Sequence, residues 1–232
     1  MRVVVTRPLD RGQTTAATLR GMGHEPMLLP LSEARHLTDQ IEKAIPAAFS
    51  TIAVTSAEAL RALDTVDFSA HLTTPLYAVG RKTAAAARQA GFKTIAIAGG
   101  DGASLAALIA RHAPTDVVYL TGRPRSPTFE AALREEDIRL AVIECYEMVP
   151  LQPSTDELQA FLAFTPAAIL FHSRETARLF FELPVFFSGA QALQSCVIAC
   201  LSARVAEVVP PSLQAQVKVA RKPDEDSLLA LL

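Results

Sequence analysis

The chain has 232 residues, of which 50% are hydrophobic and 20% charged, so it can bury a full core and is not a disordered chain. Its formal net charge is -2, and no basic excess points to nucleic acid as a partner. Three cysteines, Cys145, Cys196 and Cys200, with no second pair and no histidine at ligand spacing, argue against a zinc site and fit a reducing cytoplasm.

Residues 2–6 read as a strand that starts at once, without a charged-then-apolar leader, so no signal peptide is expected. A helix over Gln13–Met22 ends at Gly23, and a strand over Glu25–Pro30 completes a βαβ unit. Ser32–His36 is polar and reads as a linker. Asp39–Ala47 is a short amphipathic helix. Thr51–Ser56 is a strand whose Ser56 caps a helix over Ala57–Leu63. Leu76–Gly80 is a strand, followed by Arg81-Lys82-Thr83 and an alanine-rich helix to Gly91. Thr94–Ala98 is a strand, then Gly99-Gly100-Asp101-Gly102 and a helix from Ser104. Val117–Leu120 is a strand, Phe129–Glu135 a helix and Leu140–Tyr146 a strand.

Met148–Ser154 carries two prolines and reads as a second linker. A helix over Asp156–Phe164 precedes a strand over Ala167–Phe171 ending at His172-Ser173. Val197–Leu201 ends at Ser202, and Val217–Ala220 is the last strand, before a helix from Ser227. No apolar run reaches about 18 residues free of charge and proline, so no membrane span or membrane partner is expected. Strands alternating with helices predict parallel sheets with helices on both faces, and ten strands suit two five-stranded sheets better than one.

The opening, Val-Val-Val-Thr6-Arg7-Pro8, returns as Val117-Val118-Tyr119-Leu120-Thr121-Gly122-Arg123-Pro124. Thr51–Leu60 resembles Ala168–Ala177, Ala78–Ala84 resembles Cys200–Ala206, and Gly102–Ile109 resembles Glu225–Leu232. The matches keep a cyclic order, as an internal repeat with loop insertions would. The chain is therefore expected to begin one lobe, build the second whole, and return. This predicts a discontinuous lobe of residues 1–34 plus 150–232, a continuous lobe of 37–146, and linkers around 32–37 and 146–154. Paired linkers suggest a hinge, with the site in a cleft between the lobes.

These residues resemble the uroporphyrinogen-III synthase family. The similarity lies in Val-Thr-Arg-Pro, Gly23 and Pro26–Pro30, in Thr55-Ser56, and in Tyr77-Ala78-Val79-Gly80-Arg81-Lys82-Thr83-Ala84. It continues in Glu144-Cys145-Tyr146 and Phe171-His172-Ser173, and covers the whole chain. The resemblance implies two flavodoxin-like lobes joined by a two-stranded linker and a cytoplasmic enzyme of tetrapyrrole biosynthesis. The implied substrate is hydroxymethylbilane, a linear tetrapyrrole with eight carboxylates. It is closed to uroporphyrinogen III with loss of water and inversion of ring D through a spiro intermediate. No metal or organic cofactor is implied, and a monomer in transient contact with the preceding pathway enzyme is the expected state.

That chemistry is catalysis by positioning, and it needs carboxylate donors at strand ends and helix N-termini. Thr6, Arg7, Ser56, Gly80, Lys82, Thr83, Arg123, Ser173 and Ser202 are the candidate substrate-binding residues. The resemblance gives Tyr146 the role of assisting departure of the ring-A hydroxyl. Each has a plain alternative: Ser56 and Ser173 as helix caps, Arg7, Arg123 and Arg125 as solvated loop charges, Tyr146 as a half-buried aromatic. His172 stands where the family more often has Thr. Ser202-Ala203-Arg204-Val205 departs from the family's Gly-Pro-Thr-Thr, losing the Thr hydroxyl at Val205, for which Arg204 is a candidate substitute. Two other readings stay open: a two-lobed binding protein for an anionic small molecule, and an inactive member of the same family.

Overall fold

The structure is a computed structural model that describes residues 1–46, 48–184 and 193–232. The chain runs β1 (Arg2–Val5), α1 (Leu9–Gly21), β2 (Glu25–Leu28), β3 (Ser32–His36), α2 (Thr38–Ala44), β4 (Thr51–Val54) and α3 (Ala57–Arg61). It continues with β5 (Leu76–Ala78), α4 (Arg81–Gln89), β6 (Ile95–Ile97), α5 (Gly102–Ala110), β7 (Asp116–Arg123), α6 (Thr128–Glu135) and β8 (Arg139–Pro150). The last part holds α7 (Thr155–Phe164), β9 (Ala168–Phe171), α8 (Arg174–Phe181), β10 (Val197–Cys200), α9 (Ala203–Ala206), β11 (Val217–Val219) and α10 (Glu225–Leu229).

Two compact units result. Unit 1 is Met1–Glu33 with Val149–Leu232, and unit 2 is Ala34–Met148. The sheet of unit 1 is parallel, in the order β11-β10-β9-β1-β2. Its short strands are apolar on both faces, which a parallel sheet covered by helices requires. Val4, Ile169, Phe171, Ile198 and Cys200 point into one apolar cluster, and their neighbours Val3, Val5, Ala168, Leu170 and Ala199 into another.

Unit 2 has the order β3-β8-β7-β4-β5-β6, and β4 to β8 pair in parallel as in unit 1. Ile52, Val54, Val118, Leu120 and Ile143 share one cluster, and Ala53, Tyr77, Val117 and Tyr119 share the opposite one. Read from β6, the order β6-β5-β4-β7-β8 matches β11-β10-β9-β1-β2 strand for strand. The repeat seen in the sequence is therefore a repeat of topology: β4 with β9, β5 with β10, α5 with α10, and β7-β8 with β1-β2.

Several boundaries differ from the sequence reading. The second sheet has six strands, not five, because Ser32–His36, read as a linker, forms β3. The Leu151 N–H bonds Leu31 O and the Leu37 N–H bonds Cys145 O, so β3 runs antiparallel to β8. An edge strand needs no apolar pattern, and Glu33, Arg35 and His36 keep their side chains partly or fully in water. For the same reason β8 runs on to Pro150 through what looked like loop. β7 likewise continues past Leu120 to Arg123, because an irregularity at Thr121/Gly122 keeps it paired with β8. Helix α5 starts at Gly102, earlier than expected, because Asp101 and Ser104 form a capping box. Helix α2 ends at Ala44; its expected last residue, Ala47, lies outside the described residues. Among the described residues no helix is long and apolar enough to cross a membrane.

Candidate functional site

In unit 2 the candidate groups lie where β4, β5 and β7 end, with Tyr146 inside β8 beside the end of β7. Parallel sheets place binding groups there because strand C-termini meet helix N-termini. Ser56 caps α3: its Oγ accepts the Glu58 N–H at 3.1 Å. The Tyr146 hydroxyl donates to the same Oγ at 3.1 Å. The expected catalytic tyrosine and the expected serine ligand are thus brought into one hydrogen-bonded pair. The tyrosine ring lies against Gly122, on the neighbouring strand.

Gly80 stands at the N-cap of α4 with no side chain to satisfy the first turn. The backbone N–H groups of Arg81, Lys82 and Thr83 precede the first helical acceptor, since Ala84 N–H is the one that reaches Gly80 O. A nine-residue helix with an uncapped start offers partial positive charge to an anion. Thr83 is 6% exposed, while Lys82 is exposed.

The arginines expected to bind carboxylates already have carboxylates. Arg123 pairs with Glu144 at 3.1 Å and also with Glu147. Arg125 pairs with Glu130 at 2.5 Å and Glu144 at 2.6 Å. Arg35, on β3, adds a second guanidinium to Glu147. This alternating row leaves little net positive charge at the end of β7.

Unit 1 holds a tighter cluster, and its centre is a residue the sequence reading passed over. The Glu225 carboxylate, in the first turn of α10, accepts from Arg7 Nη1 at 2.6 Å, Thr15 Oγ1 at 2.6 Å and His172 Nε2 at 3.1 Å. Burial opposes its charge, but hydrogen bonds from His172 and Thr15, then the His172 and Arg7 charges, outweigh that and hold it at about 2. Burial pushes His172 below its ordinary value, against the hydrogen bond to Glu225. A neutral imidazole that donates from Nε2 keeps a bare lone pair on Nδ1, and that atom is buried without a partner. The Arg7 Nε is buried and unpartnered as well.

The other unit 1 candidates have structural tasks. The Thr6 hydroxyl is buried and donates to Leu170 O at 2.8 Å. Ser173 caps α8, accepting the Thr176 N–H at 3.1 Å. Ser202 caps α9 through its backbone alone, its carbonyl accepting from Val205 and Ala206. Val205 is buried in the apolar cluster that also holds Phe171, Phe180 and Leu213, so the hydroxyl it lacks would have entered apolar core. Arg204 is exposed.

Glu225 was hard to find because an acid in the first turn of a helix has an ordinary explanation in the helix dipole. The signal available was the repeat itself: Glu225 aligns with Gly102, so one half carries a carboxylate where the other carries nothing. Gly122 was missed because Thr-Gly-Arg-Pro reads as a loop. Among the described residues no group of three His, Cys, Asp or Glu could hold a metal ion.

Two α/β sheets that share a five-strand parallel order, each with helices starting at its strand ends, define the class of protein. The comparisons narrow it. The chain belongs to the uroporphyrinogen-III synthase family: the family model described as "Uroporphyrinogen-III synthase HemD" matches residues 13–230. Members are cyclising lyases of tetrapyrrole and heme biosynthesis. The uroporphyrinogen-III synthetase of Helicobacter pylori is similar in structure, with a TM-score of 0.66 and 19% identity, over 100% of this chain and 98% of that one. A mutant uroporphyrinogen III synthase of the extremely thermophilic bacterium Thermus thermophilus is similar with a TM-score of 0.58 and 21% identity, over 99% and 96%. At these identities the likeness is one of fold. No curated protein matches.

Proposed function

We propose that the chain closes hydroxymethylbilane to uroporphyrinogen III. The observation that carries this is the match of the synthase family model along residues 13–230. The chemistry fits the groups present. Left alone, the linear tetrapyrrole loses its hydroxyl as water and closes at the free carbon of ring D. Inversion of ring D requires that the carbon already bearing a side chain attack first, giving the spiro intermediate. The protein must therefore hold the chain in one pose and ease departure of the hydroxyl.

In this reading the Tyr146 O–H donates to the leaving hydroxyl, so the carbon–oxygen bond breaks with its electron pair and water departs. Ser56, to which the same O–H donates at 3.1 Å, holds the phenolic oxygen in place until that bond is exchanged for one to the leaving hydroxyl. The open start of α4, with Gly80, Lys82 and Thr83, takes a substrate carboxylate, supported by its uncapped N–H groups. Ser173 and Ser202 stand at matching helix starts in unit 1 and take further carboxylates through backbone amides, an anion nest that tolerates the loss of a side-chain hydroxyl. Arg7 and Thr6 assist through the arrangement around Glu225 and Leu170 rather than as free donors, and Arg123 keeps its ion pairs. We place the reaction in a reducing compartment, which the three free, buried cysteines support.

The test is a product assay. Purified protein is given fresh hydroxymethylbilane, the product is oxidised, and types I and III are separated by chromatography. A type III excess over the protein-free control supports the proposal; type I alone at the spontaneous rate refutes it.

A further inference from the structure

Tyr146 lies across a glycine, and that contact is made by the strand register. β7 and β8 pair in parallel from Asp116 with Arg139 to Thr121 with Glu144, then jump, so that Gly122 faces Tyr146 and Arg123 faces Glu147. Cys145 is the extra residue. One extra residue breaks the alternation of faces and re-aims a side chain. Ile143 and Cys145, two apart, pack into one apolar cluster as the pleat demands, and Tyr146, one further on, packs against that same cluster. Without the bulge the tyrosine would face the other way.

The ring then fills the space a side chain at residue 122 would need. A Cβ built on Gly122 would lie 2.2 Å from Tyr146 Cζ and 2.6 Å from each Cε, where carbon contacts normally sit at about 3.5–4.0 Å. The next tightest glycines among the described residues, Gly12, Gly99 and Gly102, meet their neighbours at 3.2 Å. Gly122 is not among the glycines with positive φ, so the requirement is for space rather than for backbone freedom. The atoms in the way are those at the hydroxyl end of the ring. A side chain at 122 therefore displaces the phenolic oxygen itself, and the 3.1 Å bond to Ser56 with it.

We propose that Gly122 is a positioning residue for Tyr146: its missing side chain, together with the bulge at Cys145, sets where the phenolic proton is delivered. The proposal rests on the reading of Tyr146 as the group that assists departure of the hydroxyl. Gly122→Ala, Tyr146→Phe and their combination are compared in the isomer assay, with kcat and KM measured separately. Gly122→Ala is expected to lower kcat about as much as Tyr146→Phe, by roughly 10²-fold, the low end for a positioned proton donor, with KM little changed. The double variant is expected to be no slower than Tyr146→Phe alone. Thermal unfolding supplies the second arm. Gly122→Ala is expected to lower Tm in the native background but not in the Tyr146→Ala background, where the obstructing ring is gone, and this arm still reads out if Gly122→Ala alone folds poorly. Equal Tm losses in both backgrounds, or a Gly122→Ala enzyme with native kcat, would overturn the proposal. If instead Tyr146→Phe keeps the native rate while the Tm coupling persists, the positioning stands and the role given to Tyr146 falls.

Discussion

Glu225 offers the sharpest test of the chemistry inside unit 1. Its carboxylate accepts from Arg7, Thr15 and His172 and is held at about 2, against 4.5 for an ordinary glutamate. At about 1.4 kcal/mol per pKa unit, that depression corresponds to at most about 3.5 kcal/mol of stability at neutral pH. Two facts reduce it. The side chain is 21% exposed, and burial favours neutral His172, which leaves Arg7 as the charged partner. About 2 kcal/mol remains, and Glu225→Gln is expected to lose it, because the amide group turns an NH2 toward donors. The assay is hydrogen exchange by mass spectrometry on peptides of β1, β9 and α10, corrected for the intrinsic pH dependence of exchange. At about 1.4 kcal/mol per factor of ten, protection should fall roughly 30-fold in the variant at pH 7. The sign of the pH effect follows from the depressed carboxyl. Between its native value and 4.5 the unfolded chain binds more protons than the folded one, so stability is present above 4.5 and is lost as pH falls toward 2. The gap between native and variant protein should therefore be full at pH 7 and smaller at about pH 3.5. Equal protection at neutral pH, or a gap unchanged in acid, would refute the reasoning.

Other outcomes follow from the same geometry. Tyr146→Phe should lower kcat more than it raises KM; an unchanged rate removes Tyr146 from the mechanism. Thr83→Ala should weaken the reaction more than Ser202→Ala, because α4 keeps a hydroxyl one turn inside its open start while α9 has Val205 there; the reverse order contradicts the role given to the α4 start. Val205→Thr should cost about 1–2 kcal/mol in urea unfolding, since its hydroxyl would be buried in the apolar cluster that also holds Phe171, Phe180 and Leu213; a neutral effect would mean the hydroxyl bonds a backbone carbonyl three or four residues back, as a helical threonine can. All three thiols are buried and pushed up to about 12 by burial, so thiol reagents should label Cys145, Cys196 and Cys200 only after unfolding. Rapid labelling of the native protein would contradict that burial.

The sheets were legible because buried parallel strands leave little choice of side chain. Ile52–Val54 and Ala168–Phe171 are apolar on both faces, and two residues beyond each strand a serine caps the next helix. Apolar pattern and cap chemistry both act within a few residues, so the sequence displays them directly. The repeat extended this to topology, since units aligned in cyclic order form sheets of one strand order. Ser32–His36 was opaque because a polar edge strand is held by backbone hydrogen bonds, which any residue can make.

The site was less legible for the same physical reason. Ser56 and Tyr146 could each be named, but their hydrogen bond spans 90 positions of chain, and nothing local encodes it. Arg7, Arg123 and Arg125 looked like free cations because a sequence shows charge and not partners; Glu225, Glu144 and Glu130 supply those partners through folding. Gly122 lay beyond the expected strand end at Leu120, and a glycine kept for the space above it is written the same way as one kept for its backbone.

The measurement that bears most directly on the function is the ratio of uroporphyrinogen isomers formed from fresh hydroxymethylbilane with and without the native protein. A synthase yields type III well above the protein-free control, and Tyr146→Phe then brings the rate down. Type I alone, formed at the spontaneous rate, would contradict the proposed activity and leave a family member that keeps the fold without the reaction.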